Sequence, residues 1–125
     1  MNDTVYRLLA GGETAGGMAP SDVTAPEQFT GADTTELNAT FFETPLGKGD
    51  GTISTGVWLC APCRCEIESF PVHEMMTIIE GSVTVTTADG KAETFTAGDS
   101  LFIAKGTKCV WEITETLRKF YMIVA

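Results

Sequence analysis

A chain of 125 residues has room for one domain with a hydrophobic core, and it is short for two. Its net charge of −9 argues against nucleic-acid binding, because eight scattered Lys and Arg residues cannot form a basic patch. The same charge disfavours an anionic membrane surface, and no apolar run approaches the roughly 18 residues that span a bilayer. We therefore expect neither nucleic acid nor a membrane as a partner.

The first stretch of the chain, MNDTVYRLLAGG, lacks the basic segment and the long apolar core of a signal peptide. A cytoplasmic location is therefore the expectation from sequence. The four cysteines should stay reduced in that compartment.

Residues 1–50 are weakly patterned, and we expect them to form an N-terminal arm and loops. Two glycine pairs near the start break any regular element. A short helical turn is predicted at Pro26, because proline favours the first position of a helix. The arm is expected to lay Phe41, Phe42 or Leu46 against the rest of the fold or against a partner subunit.

Residues 51–125 carry a much more regular pattern. Residues 53–60 and 64–70 are predicted strands, and a turn that contains a proline separates them. In the second strand Cys65 and Ile67 share one face, because side chains alternate along a strand.

The stretch 74–106 is predicted to form four short strands joined by turns. Apolar residues alternate with threonines on both sides of Gly81, where glycine permits a turn or a bulge. Asp89-Gly90 predicts a two-residue type I′ hairpin, in which both central residues have positive φ. The run 101–103 is predicted to be a buried strand.

Two more strands are predicted after Gly106, over residues 109–113 and 117–124, with a turn at 114–116. Many short strands with no helical period are typical of an all-β sandwich or barrel. The predicted fold class is therefore all-β.

Three motifs in this region resemble the two sequence motifs of the cupins. They are Glu74-x6-Gly81, Gly98-Asp99 and Ala104-Lys105-Gly106-x2-Cys109. The closer resemblance is to the small single-domain cupins grouped with the ureidoglycine aminohydrolase cupin domain and the ethanolamine-utilisation cupins. The segments that carry it, within about residues 52–125, are Gly56-Val57-Trp58, Ile79-Glu80-Gly81, Ala97-Gly98-Asp99, Lys108-Cys109-Val110-Trp111-Glu112 and Arg118-Lys119-Phe120-Tyr121.

The resemblance implies a cupin β-barrel of jelly-roll (RmlC-like) type over residues 51–125, preceded by the N-terminal arm. It also implies a cytoplasmic protein that is often a homodimer. In metal-binding cupins two histidines and a glutamate of the first motif, with a histidine of the second, hold one divalent cation.

This chain keeps only Glu74 of those four ligands. Counting along the motifs, the histidine positions fall on Glu68, Phe70 and Cys109, and the one histidine of the chain is His73. The weak candidates for a metal site are therefore Glu68, His73, Glu74 and Cys109, so we expect either no cofactor or one divalent metal. The alternative is that Glu74 is a buried carboxylate held by hydrogen bonds in the barrel mouth.

Neighbouring residues of a strand point to opposite faces, so His73 and Glu74 should not both face a cavity unless Pro71 induces a bulge. By the same rule Arg118 and Lys119 face opposite ways. Their expected partners are Glu112 or Glu115 across the final hairpin, and the functional alternative is an anchor for a carboxylate ligand.

Three cysteines are closely spaced in the pattern Cys60-x2-Cys63-x-Cys65. As a zinc site this pattern is incomplete, because a closed structural site takes four ligands. Buried thiols that pack as small hydrophobic groups are the simpler interpretation.

The leading functional hypothesis is a cupin that binds a small molecule in its barrel. The residues predicted to line the cavity are Trp58, Glu68, Phe70, Glu74, Cys109 and Trp111. One alternative is a metal-dependent or general-base enzyme, with Glu74 as the candidate base, acting on a nitrogenous, ureidoglycine-like or carbohydrate metabolite. Another is a dimeric structural or interaction protein, because edge strands need covering. The sequence leaves open whether the chain is an enzyme.

Overall fold

The structure, a computed structural model, describes residues 4–125, and the first three residues of the predicted arm lie outside it. The strands are β1 (Ala19–Pro20), β2 (Glu36–Pro45), β3 (Thr52–Cys60), β4 (Cys63–Ile67), β5 (His73–Thr87), β6 (Ala92–Thr96), β7 (Ser100–Ile103) and β8 (Cys109–Val124). Two 3₁₀ turns, Glu13–Ala15 and Pro26–Gln28, are the other regular elements of the described chain. No helix within residues 4–125 has the length and hydrophobicity that a membrane crossing requires. The all-β prediction is confirmed.

All eight strands belong to one antiparallel sheet with the order β1-β2-β3-β8-β5-β6. β4 pairs with the first half of β8, and β7 pairs with the first half of β5. The long strands β5 and β8 pair along almost their whole lengths. The sheet encloses one core: Trp58, Cys60, Cys63, Cys65, Phe70, Met76, Ile78, Val83, Val85, Ile103, Cys109, Trp111, Ile113, Leu117 and Tyr121.

A bulge at Gly81 lets β5 continue through the position where a turn or bulge was predicted. Gly81 has φ +88°, and the register against β8 shifts on both sides of it. Met76 and Ile78 are buried before the bulge, whereas Val83 and Val85 are buried after it. The extra residue therefore changes which alternate positions face the core.

The turn predicted at 114–116 is wrong, because Cys109–Val124 is one continuous strand. Its threonines suit a strand, and β5 pairs with it on both sides of this segment. The final hairpin therefore does not exist. Arg118 pairs with Glu80 and Lys119 with Glu74, instead of the expected Glu112 or Glu115.

The hairpin at Asp89-Gly90 exists, but the predicted type I′ turn is wrong. Gly90 has φ +85°, whereas no non-glycine residue of the described chain has a positive φ. Thr87 N donates to Lys91 O, and Gly90 N donates to Thr87 O, both at 2.9 Å. The connection is therefore a three-residue loop with glycine in the left-handed position.

Two further predictions concern exposure and the arm. In β7 only Ile103 is buried, and Phe102 is 61% exposed, so the run 101–103 is not a buried strand throughout.

Within the region predicted as arm and loops, β2 is a ten-residue strand that pairs with β3. This strand escaped prediction because it lacks a clear alternation of apolar and polar residues.

Candidate functional site

A cavity of about 500 Å³ opens inside the barrel. Its wall is mostly aromatic and aliphatic, with a few polar groups. The lining residues are Ser21, Val23, Thr24, Gln28, Asn38, Trp58, Cys65, Ile67, Phe70, Pro71, Val72, Glu74, Trp111, Lys119, Tyr121 and Ile123. The strands supply most of this wall, and the segment 21–28 covers one side.

Strand register places Lys119 in the cavity wall. Trp58 of β3 pairs with Lys119 of β8, which pairs with Ile78 of β5, so the three side chains share the inner face. Lys119 is only 6% exposed. Its Nζ lies 4.7 Å from the ring centroid of Trp58 and 4.9 Å from that of Trp111. The ammonium group therefore lies close to two indole rings, an arrangement that favours a cation.

Glu74 of β5 completes an ion pair with this lysine. Lys119 Nζ donates to Glu74 Oε2 at 2.5 Å and also lies 3.6 Å from Met76 Sδ. Glu74 is 6% exposed, so both charges are buried. The attraction between two buried opposite charges offsets the cost of removing them from water only when they are held in such close contact.

The second carboxylate oxygen of Glu74, Oε1, faces the cavity. The hydrogen bond that Glu74 makes within residues 4–125 uses Oε2. No fully buried side-chain nitrogen or oxygen in that part of the chain lacks a partner. Since Oε1 has no protein partner there, it is not fully buried, and the space that Glu74 lines is the cavity.

A second buried carboxylate, Glu36 of β2, holds the covering segment to the wall. Its oxygens accept from Ser21 Oγ at 2.5 Å, Val23 N at 3.0 Å and Thr24 N at 2.8 Å. A fourth donor, Trp58 Nε1, lies 3.0 Å from Oε2. Burial raises the pKa of Glu36, but the hydrogen bonds outweigh burial and hold this pKa below its usual value.

Tyr121 and Asn38 add a further polar contact to the cavity wall. Tyr121 Oη donates to Asn38 Oδ1 at 2.8 Å. The tyrosine ring lies over Gly56, where any Cβ would collide with the ring and with Ala39 O. Glycine at this position therefore makes room for the tyrosine in the wall.

A second cleft of about 830 Å³ lies between β6, β7 and the turn 104–107. Its charged lining residues, Lys91 and Glu93, are exposed. The cavity with the buried ion pair is therefore the stronger candidate for a specific site.

Four of the six residues predicted to line the cavity do so: Trp58, Phe70, Glu74 and Trp111. The prediction for Glu68 is wrong, because it lies beyond the end of β4, where its exposed side chain is 3.6 Å from Lys108 Nζ. The prediction for Cys109 is also wrong, because it is a core residue outside the cavity lining.

The four weak metal candidates do not converge on one point. His73 lies on the outer face, where its Nδ1 accepts from Lys105 N at 3.0 Å, while Glu74 points inward to Lys119. No group of three or more His, Cys, Asp or Glu side chains within residues 4–125 has a geometry that would hold a metal ion. The donor set therefore does not fit the metal centre that the resemblance implied.

The four cysteines are buried free thiols, as expected. Hydrogen bonds to Cys60 and Cys65, together with burial, hold the pKa of Cys63 far above its usual value. Burial alone raises the pKa of Cys109. The raised pKa makes Cys63 and Cys109 poor nucleophiles and poor metal ligands, whereas the hydrogen bond to Cys63 lowers the pKa of Cys60 and of Cys65.

A family model described as an EutQ-like cupin domain matches residues 47–121, which is more than half of the chain. The chain belongs to this cupin family, and the jelly-roll prediction is confirmed. No curated protein matches the chain at a significant level.

Three solved structures illustrate the likeness. A DUF861-family protein of unknown function from Pseudomonas syringae pv. tomato DC3000 is 28% identical with a TM-score of 0.74, over 86% of this chain and 44% of that protein. The chain thus spans less than half of that protein. The EutQ protein of Clostridium difficile is 16% identical with a TM-score of 0.58, over 83% and 80%. A putative ethanolamine utilization protein Q from Salmonella typhimurium LT2 is 20% identical with a TM-score of 0.55, over 78% and 76%.

Proposed function

We propose that this cupin binds a small organic molecule in the barrel cavity, above the Glu74–Lys119 ion pair. The cavity volume of about 500 Å³ lies in the range of small-molecule sites. Its apolar wall with a few convergent polar groups is also typical of such sites. The observation that carries the proposal is a buried carboxylate whose free oxygen faces an accessible cavity.

The ion pair supports a binding role better than a purely structural one. A buried ion pair gives little net stability, because desolvation of both charges offsets their attraction. Apolar side chains of similar volume would fill this space at least as stably. Glu74 Oε1, in contrast, offers a strong acceptor to any ligand that enters.

Tryptophan fluorescence can test this proposal directly. The chain has two tryptophans, Trp58 and Trp111, and both line the cavity. A ligand in the cavity should therefore change the emission, which permits screening of a metabolite library by titration. A hit should bind about tenfold more weakly to Glu74→Gln, because the hydrogen bond to a charged acceptor is weakened.

Glu80→Gln is the matched control, because Glu80 pairs with Arg118 while 57% of its side chain is exposed, and it is not part of the cavity wall. Affinity should be unchanged in this variant. Hits that bind Glu74→Gln as tightly as the unaltered chain would contradict the proposed site.

A general-base enzyme is the second candidate function, and the open Glu74 Oε1 is the observation that favours it. Its substrate would be a nitrogenous or carbohydrate metabolite, in line with the resemblance to ureidoglycine aminohydrolase. Glu74→Gln should then remove turnover of an identified substrate while leaving measurable binding. Turnover that survives this change would eliminate Glu74 as the base.

A homodimer in the cytoplasm remains our expectation for the working form, and an outward-facing row of side chains supports self-association. Register aligns Phe102, Met75, Met122, Thr55 and Phe42 across five strands. The four apolar members are between 37% and 61% exposed. In a two-fold symmetric dimer this row would pack against the same row of a second copy. Because the row is uncharged, this contact avoids the repulsion expected between two chains of net charge −9.

Sedimentation velocity of Met75→Asp and Met122→Asp tests this interface. Both variants should shift a dimer to monomer, because a charge would be desolvated at the centre of the row. Leu46→Asp is the control, since Leu46 is 46% exposed outside the row. An unaltered chain that sediments as a monomer would contradict the dimer.

A further inference from the structure

The charged groups around the cavity are already matched within the protein. Lys119 Nζ donates to Glu74 Oε2 and lies against two indole rings. The Glu36 carboxylate accepts from four donors and is not one of the residues that line the cavity. Among residues 4–125, the one cation that lines the cavity is Lys119, and it is already paired with Glu74.

The cavity offers one charged acceptor to a ligand, and its charged donor, Lys119, is already in contact with Glu74, Met76 and two indole rings. Glu74 Oε1 is the acceptor. The hydroxyl of Tyr121 and the indole N–H of Trp58 already donate to Asn38 and Glu36. The donors without a protein partner in the described chain are neutral, namely Trp111 Nε1 and the amide nitrogen of Gln28.

From this arrangement we infer that the cavity selects an uncharged ligand that donates a hydrogen bond to Glu74 Oε1, as an amide, urea or hydroxyl group does. The inference rests on the proposed binding function and defines its ligand class. An anion would face the Glu74 carboxylate without a free counter-ion. A cation on Oε1 would lie close to the Lys119 ammonium in a poorly solvated site, where like charges repel strongly.

The same arrangement answers the sequence-based alternative that Lys119 anchors a carboxylate ligand. That alternative requires a lysine whose ammonium group can leave its internal partner. Here Lys119 is 6% exposed, and its ammonium group is bonded to Glu74 and lies against the rings of Trp58 and Trp111. Displacing Glu74 would leave its carboxylate buried and unpaired, which is costly.

A matched series of small aromatic compounds tests the ligand class. Benzamide and benzyl alcohol are neutral donors, methyl benzoate is neutral without a donor, benzoate is an anion and protonated benzylamine is a cation. Binding is measured by tryptophan emission and by calorimetry. Benzamide or benzyl alcohol should bind about tenfold more tightly than the other three, and the better of the two separates amide from hydroxyl ligands.

Two variants should change which compound binds most tightly, one in favour of the anion and the other in favour of the cation. Glu74→Gln leaves Lys119 without a counter-ion, so benzoate should become the tightest ligand. Lys119→Met leaves Glu74 without a counter-ion, so protonated benzylamine should become the tightest ligand. Glu80→Gln, which alters an ion pair outside the cavity, should keep the original order.

The outcomes separate the two proposals. Benzoate, benzylamine or methyl benzoate binding the unaltered chain as tightly as benzamide and benzyl alcohol would overturn the ligand class and leave the binding function intact. No response to any of the five compounds up to their solubility limits would overturn the binding function and the inference with it. If neither cavity variant folds, the order of affinities for the unaltered chain decides the matter.

Discussion

Glu36 and Glu74 are both buried carboxylates beside the same cavity, yet they are stabilised in different ways. Within residues 4–125 Glu36 has no ion-pair partner, and it accepts hydrogen bonds from Ser21, Val23, Thr24 and Trp58. Glu74 has one cation, Lys119, and one oxygen that remains open to the cavity. Both oxygens of the first carboxylate accept hydrogen bonds from the protein, whereas one oxygen of the second has no protein partner within residues 4–125.

This difference separates a structural charge from a binding charge. A carboxylate that is fully hydrogen-bonded fixes the chain around it, and Glu36 fixes the covering segment to Trp58. A carboxylate with an unfilled acceptor position interacts best when a donor arrives from outside. The four predictions below test this distinction, from the largest expected change in stability to the smallest.

Lys119→Met should lower the free energy of unfolding by about 3–5 kcal/mol, because it leaves the Glu74 carboxylate buried without a cation. Chemical denaturation at neutral pH measures this loss. The double variant Lys119→Met with Glu74→Leu should recover most of the stability, since both charges are then gone. A double variant no more stable than Lys119→Met alone would mean that Lys119 acts through packing against the indole rings rather than through Glu74.

The sequence predicted the fold far better than it predicted the ion pair of Glu74 and Lys119. Motif spacing identified Glu74, and the alternation of strand residues predicted its separation from His73. The same alternation places Lys119 on the buried face of Leu117 and Tyr121, which was a usable signal for an inward lysine. It was missed because a turn was predicted at 114–116, which gave this lysine a surface partner instead.

Glu36 could not be found by such reasoning. It begins β2 in a segment without periodicity, and its donors are mostly backbone N–H and side-chain groups of the non-repetitive segment 21–24. Side chains that meet through loop conformation leave no regular spacing in the sequence. The exclusion of Glu68 and Cys109 from the cavity has a similar origin, because it depends on where β4 ends and on which inward side chains of β8 reach the cavity rather than the core.

Glu36→Gln should lower the free energy of unfolding by about 2 kcal/mol at neutral pH. The amide oxygen accepts hydrogen bonds less strongly than a carboxylate oxygen, and the amide NH2 group would face a donor that the carboxylate now accepts from. The folded-state pKa of Glu36 lies below its usual value, so its contribution is complete above the unfolded pKa of about 4.3. That contribution is lost as the pH falls through the lower, folded-state pKa. The stability difference from the unaltered chain should therefore shrink on acidification.

Unfolding curves measured from pH 7 down to pH 3 check this dependence. Other carboxylates with lowered pKa values, such as Asp33 and Asp89, occur in both chains and cancel in the difference. A difference that stays constant over this range would show that Glu36 acts through shape rather than through charge.

Trp58→Phe should cost about 1.5 kcal/mol, because it removes one of the four donors to Glu36 while keeping an aromatic ring near Lys119. Trp111→Phe is the matched control, since Trp111 also flanks Lys119 but makes no hydrogen bond to a carboxylate in the described chain. The cost of Trp58→Phe should shrink at low pH together with that of Glu36→Gln. If both tryptophan variants lost the same stability at every pH, the hydrogen bond from Trp58 to Glu36 would not be the cause of the loss.

Glu80→Gln should change stability by less than about 1 kcal/mol, although the Arg118 Nε–Glu80 Oε1 distance of 2.6 Å nearly equals that of the buried pair. Glu80 is largely exposed, so water and salt screen its charge, and removing it leaves no buried ion. Denaturation with and without added salt checks the prediction, because the small loss should vanish at high salt. A loss as large as that of Lys119→Met would mean that the short contact, rather than burial, decides the strength of both ion pairs.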